Sequence, residues 1–278
     1  MKQIIAAGCG AMDSNNPWLD LYILAQSNKK LPKVCLLPTA SADNQGVIRH
    51  FMDSYDRYPC VPSYLELFSP SERDFEDFIM DKDIIFVSGG QSKSMLGIWK
   101  EWGIDTILRK AYDAGKVLSG GSAGAVCWFQ SCITDSFPGS LSPMNCLGLL
   151  PHSFSPHFAS QSRRAAYRKH LTEGGIVAGF AADDGAALHF IDGQYHRSVS
   201  SRPWAKTYSM TAEGRTMLKT DWLGIAENQN ELIWKSPAFA SSVEEEPEQE
   251  ETLESKLLES FELGFSDDKE KWLEARNK

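Results

Sequence analysis

Hydrophobic and polar positions alternate between two patterns along this chain. Short apolar runs, rich in β-branched residues, occupy 4–7, 34–37, 64–68 and 84–87, with Val117-Leu118 as a fifth. Short runs of this kind suit strands buried on both faces, as in a parallel sheet covered by helices. Between them the apolar positions change to helical spacing over 17–27, 46–55, 73–80, 92–102 and 105–114. In the last segment Ile107, Leu108, Ala111 and Tyr112 share one face, and Gly115 ends the element. A further helix is expected over 123–130, and 176–197 reads as strands joined by the hairpin signal Asp192-Gly193. The alternation predicts an α/β fold, a three-layer sandwich with a mostly parallel central sheet.

Small and polar residues follow two of the runs, as Pro38-Thr39-Ala40-Ser41 and Ser88-Gly89-Gly90-Gln91. They mark the carboxyl edge of the sheet, where α/β proteins bind ligands. The fifth run leads into Gly120-Gly121-Ser122-Ala123-Gly124. A serine between small residues, after a buried strand and before a helix, reads as a nucleophile on a strand-turn-helix elbow. Small neighbours permit the strained backbone that lifts the hydroxyl from the sheet, and the helix start supplies amide hydrogens. A phosphate loop would add a lysine or more glycines, and Gly8-Cys9-Gly10 lacks the third glycine of a dinucleotide fingerprint.

A serine hydroxyl needs a base, and the base needs an orienting acceptor. His157, stiffened by Pro156 and flanked by Phe154 and Phe158, is the preferred base, with His152 as rival. His170, His189 and His196 read as surface or hairpin positions. Asp184 follows the apolar segment 176–180 and is a candidate acceptor. Asp183 and Asp135 are rivals, and the residues alone leave that choice open.

Four stretches in order, Ser88-Gly89-Gly90-Gln91, Gly121-Ser122-Ala123-Gly124-Ala125, Pro156-His157-Phe158 and Asp184-Gly185, resemble the S51 family of serine peptidases, which includes peptidase E and cyanophycinase. The resemblance covers most of residues 1–235. It implies Ser122 as nucleophile, His157 as general base and Asp184 as acid, an order different from the Ser, acid, His of α/β-hydrolases. It also implies an oxyanion hole from the amides of Ala123 and of Gly89 or Gly90. The substrates implied are small peptides, Asp-X dipeptides among them, with Gln91, Asp135, Arg163 and Arg164 as candidate binding residues and Arg168 as a further cation. Peptidase E places a glutamate where Asp184 stands, one methylene longer. A cyanophycinase-like hydrolase of β-aspartyl peptides and an inactive peptide-binding or metabolite-binding protein are the alternatives.

Charge narrows the partners. Of 37 acidic and 28 basic residues, 13 and 5 lie in 241–278, which leaves the body nearly neutral. No basic face for nucleic acid is therefore expected. The apolar amino-terminal run is too short for a leader or a membrane span, so a cytoplasmic location is expected. Six dispersed cysteines and six dispersed histidines show no metal-ligand spacing, and neither metal nor cofactor is expected. The peptidase domain is expected over 1–238, followed over 239–278 by an acidic linker and a helical extension. The extension's Leu253, Leu257, Leu258 and Phe261 suit packing on its own domain or on a second subunit in a homodimer.

Overall fold

A computed structural model describes residues 1–13 and 15–224; the linker and extension expected over 239–278 lie outside them. Strands β1 (Gln3–Ala7), β2 (Lys33–Leu37), β3 (Val61–Tyr64), β4 (Ile84–Val87) and β5 (Val117–Gly121) alternate with helices α1 (Trp18–Ala25), α2 (Gln45–Tyr55), α3 (Phe75–Met80), α4 (Ser92–Trp102) and α5 (Ile104–Asp113). After the short helix α6 (Ala123–Val126) come β6 (Phe129–Thr134), β7 (Ser142–Asn145), β8 (Leu150–Ser155) and α7 (Gln161–Thr172). The remaining strands are β9 (Gly179–Ala182), β10 (Ala186–Ile191), β11 (Gln194–Ser200), β12 (Thr207–Met210), β13 (Arg215–Met217) and β14 (Thr220–Trp222). No described helix is long and apolar enough to cross a membrane.

The larger sheet has eight strands in the order β14-β11-β10-β1-β5-β4-β2-β3. Its run from β1 to β3 is parallel throughout. The apolar runs are buried on both faces, as their composition requires. Ile4, Cys35 and Ile85 enter one core, while Ile5, Val34 and Ile84 enter the other with α1 and α2. In α5, Ile104, Ile107, Leu108, Ala111 and Tyr112 are buried at helical spacing.

Three local features differ from the sequence reading. β3 ends at Tyr64 instead of covering 64–68, because the Asp43 carboxylate accepts the amides of Leu67 at 2.5 Å and Phe68 at 2.8 Å. Those amides are bound by a side chain and not by a strand, while Pro62 is tolerated because β3 lies at the sheet edge. Second, the helix expected over 123–130 stops at Val126, and Phe129 opens β6 by pairing with Leu150. Third, β6 belongs to a second sheet without counterpart in the sequence reading, six strands in the order β13-β12-β9-β8-β6-β7. The two sheets meet through aromatic rings: Phe190 of β10 stands edge-on to Phe129 and Phe180 of the smaller sheet, and Phe129 stacks on Phe154 at 4.8 Å.

Candidate active site

Ser122 sits directly beyond β5 with φ 55° and ψ −116°, a strained conformation for a non-glycine residue. Its neighbours make that turn possible. A side chain on Gly124 would collide with the Val87 carbonyl, so α6 can lie tight against the end of β4 only as glycine there. The same approach brings Gly89, just past β4, to the side of Ser122: a Cβ on Gly89 would stand 3.5 Å from the Ser122 Cβ. Gly89 therefore lies beside Ser122, whereas a side chain on Gly90 would meet the Ala40 carbonyl.

His157 follows β8 in the smaller sheet and is also left-handed, with φ 52°. Phe158 fixes it, since the ring is 1% exposed against Tyr167 and Tyr208 and its amide donates to the Ala182 carbonyl at 3.0 Å. Asp184 lies on the link from β9 to β10, the point where the chain passes from the smaller sheet to the larger. That link packs against the end of β1. Gly185 donates its amide to the Cys9 carbonyl at 2.9 Å, and any side chain on Gly8 would strike the Asp183 carbonyl.

These three loops bring Ser122, His157 and Asp184 into one line. The Ser122 Oγ lies 2.9 Å from His157 Nε2, and His157 Nδ1 lies 2.6 Å from Asp184 Oδ1. The hydrogen bond to His157, with lesser help from the charges of Arg202 and Arg163, holds the Asp184 carboxyl below its ordinary pKa, against partial burial. An ionised carboxylate fixes the imidazole with its proton on Nδ1 and its acceptor nitrogen on the serine. Such an arrangement can take a proton from the hydroxyl as it attacks a carbonyl.

The other candidate residues lie differently. Asp183 points away, accepting the Lys206 amide at 3.1 Å. Asp135 pairs with Arg163 at 2.8 Å. Arg164 donates to the Phe158 carbonyl at 3.4 Å. Gln91 caps α4 by accepting the Ser94 amide and donates to the Ser136 carbonyl at 2.9 Å, so both ends of its amide are engaged. His152 meets Phe180 edge-on within the smaller sheet. His189 is buried, not at the surface, between the Tyr22 hydroxyl and Gln3, and burial pushes its pKa down to about 3.

Two neighbours of the site escaped the sequence reading. Cys9, counted there only among dispersed cysteines without metal-ligand spacing, stands beside His157 and Asp184. Arg202 packs its stem on Gly185 and pairs with Asp13 at 3.3 Å. The position of Gly8-Cys9-Gly10 at the carboxyl end of a central strand was the available signal for Cys9. Burial and the Asp184 charge raise the Cys9 thiol's pKa, which keeps it protonated and a poor rival nucleophile.

Fold and site together define a serine hydrolase of α/β build. The model of Peptidase family S51 matches residues 4–198, and the chain belongs to that family of peptidases. The uncharacterized peptidase YgaJ of Bacillus subtilis (strain 168) is 48% identical over 211 residues, covering 75% of this chain and 91% of its own. Peptidase E of Actinobacillus pleuropneumoniae serotype 5b (strain L20) is 28% identical over 187 residues, 62% of this chain and 76% of its own. Among solved structures, a peptidase from an acI-B1 Actinobacterium superposes with a TM-score of 0.60 at 16% identity, covering 79% of this chain and 95% of its own. That last likeness is one of fold.

Proposed function

We propose that the chain cleaves short peptides, Asp-X dipeptides among them, through an acyl-enzyme on Ser122. The observation that carries this reading is the pair of contacts on one imidazole, 2.9 Å to the Ser122 Oγ and 2.6 Å to the Asp184 carboxylate. Ser122 attacks the scissile carbonyl while His157 Nε2 accepts the hydroxyl proton and Asp184 steadies the imidazolium. The amides of Ala123 and of Gly89 or Gly90 hold the oxyanion. His157 passes its proton to the leaving amine. A water then attacks the acyl carbonyl, gives its proton to His157, and Ser122 is restored as the acid product leaves.

Arg163 supports a preference for acidic substrates. Its side chain is largely buried, its charge is felt at Asp184, and the side chain of its partner Asp135 is 72% exposed. A substrate carboxylate that displaces Asp135 meets the same guanidinium. A fluorophosphonate should label Ser122, with the adduct located by mass spectrometry, and Ser122→Ala should remove both the label and turnover. Folded protein that resists labelling would instead be a binding protein. A panel of Asp-X, Arg-X and β-Asp-Arg peptides then reads the substrate preference, with the last of these separating a cyanophycinase-like activity.

A further inference from the structure

Cys9 takes no part in the chemistry above, yet it completes a set of ligands. Among the described residues, Cys9, His157 and Asp184 alone bring three ligand atoms, one each of sulfur, nitrogen and oxygen, within 4.8 Å of one another. Zinc draws on these three donor types. Ligand atoms around a tetrahedral zinc lie about 3.5 Å apart, given bonds of roughly 2.0 to 2.3 Å. The three side chains need to move by only a fraction of that spacing. His157 and Asp184 are partly open to solvent, with side chains 31% and 54% exposed, so an ion can reach them. The nearby cation Arg202 is paired with Asp13, which blunts its repulsion.

We propose that Cys9, His157 and Asp184 form an inhibitory site for a soft divalent cation such as Zn2+. The cation takes the imidazole and the carboxylate out of the serine relay, the Cys9 thiol gives up its proton to solvent, and water fills the fourth position. This metal is an inhibitor and not a cofactor, because the residues that hold it are the ones the relay needs. Sulfur and imidazole donors favour Zn2+ or Cd2+ over Mg2+ and Ca2+. The other five cysteines lie outside this set.

The test begins with metal-free full-length protein and a fluorophosphonate, whose reaction rate at Ser122 is followed as Zn2+ is added. Zn2+ should slow labelling of the wild type, a chelator should restore it, and Mg2+ should have no effect. Cys9→Ala should label at the wild-type rate without Zn2+ and need roughly tenfold or more Zn2+ for the same slowing. Equal Zn2+ sensitivity in both proteins, or a wild type indifferent to millimolar Zn2+, overturns the proposal. A second arm does not depend on activity. Ser122→Ala keeps all three ligands, so calorimetry should find one Zn2+ per chain that Ser122→Ala/Cys9→Ala lacks. Identical binding by the two overturns the site even if the peptidase reading stands, and failure of labelling alone leaves this arm decisive.

Discussion

Asp184 meets His157 from an open position, for its side chain is 54% exposed. Its hold on His157 is a single short contact instead of a buried network. Asp184→Asn keeps the shape but offers an amide where Nδ1 requires an anionic acceptor. The expected result is a loss of roughly 10² to 10⁴ in kcat with an unchanged Tm, read from steady-state kinetics and thermal melting. Asp184→Glu should lose far less, because solvent leaves room for one more methylene and the carboxylate survives. Equal losses in the two variants would show that the side chain serves packing and not orientation. His157 meets the acid from a left-handed backbone, φ 52°, a region that few non-glycine residues occupy and that Asn, Asp and His enter more often than others.

Helix α1 illustrates a different kind of placement. It is buried along its whole length, and its first turn carries Asp20, which accepts the Met12 amide on both oxygens at 3.0 Å and the Tyr55 hydroxyl at 2.9 Å. Burial dominates these bonds and pushes the Asp20 pKa from the ordinary 3.8 up to about 7. The native state therefore binds this proton more tightly than the unfolded chain does. That contribution to stability is complete below about pH 4 and is lost as pH rises through about 7. In urea unfolding between pH 4 and 8, Asp20→Asn should flatten this part of the wild-type slope. An unchanged slope would place the proton elsewhere. Legibility in the sequence followed the same division between local and distant causes. The strands β1, β2, β4 and β5 and the serine elbow were readable because burial on both faces and small neighbours leave a local imprint. The smaller sheet was not, since segments such as Ser142–Asn145 and Arg215–Met217 are partly or fully exposed and carry no apolar alternation. Apart from the family resemblance, which of Asp184, Asp183 and Asp135 meets His157 was equally hidden, because that contact depends on Gly8 and Cys9 packing against a link some 175 residues away.

Across the molecule the relay straddles a structural divide. Ser122 belongs to the larger sheet, His157 to the smaller, and Asp184 to the short link between them, so the relay forms only when the sheets dock. The docking surface is extensive. The cluster around Phe129, Phe154 and Phe190 continues into the core that includes Trp99 and Trp128, and β10 adds its backbone ladder to β1. Residues 138–140 form an exposed tip between β6 and β7. A break there separates a fragment carrying Ser122 from one carrying both His157 and Asp184. Neither piece should react with a fluorophosphonate alone, whereas co-expressed pieces should recover labelling through the shared β1–β10 ladder and aromatic seam. The division of the relay between two sheets thus makes this peptidase a candidate for fragment complementation, with acylation of Ser122 as the signal that two halves have met.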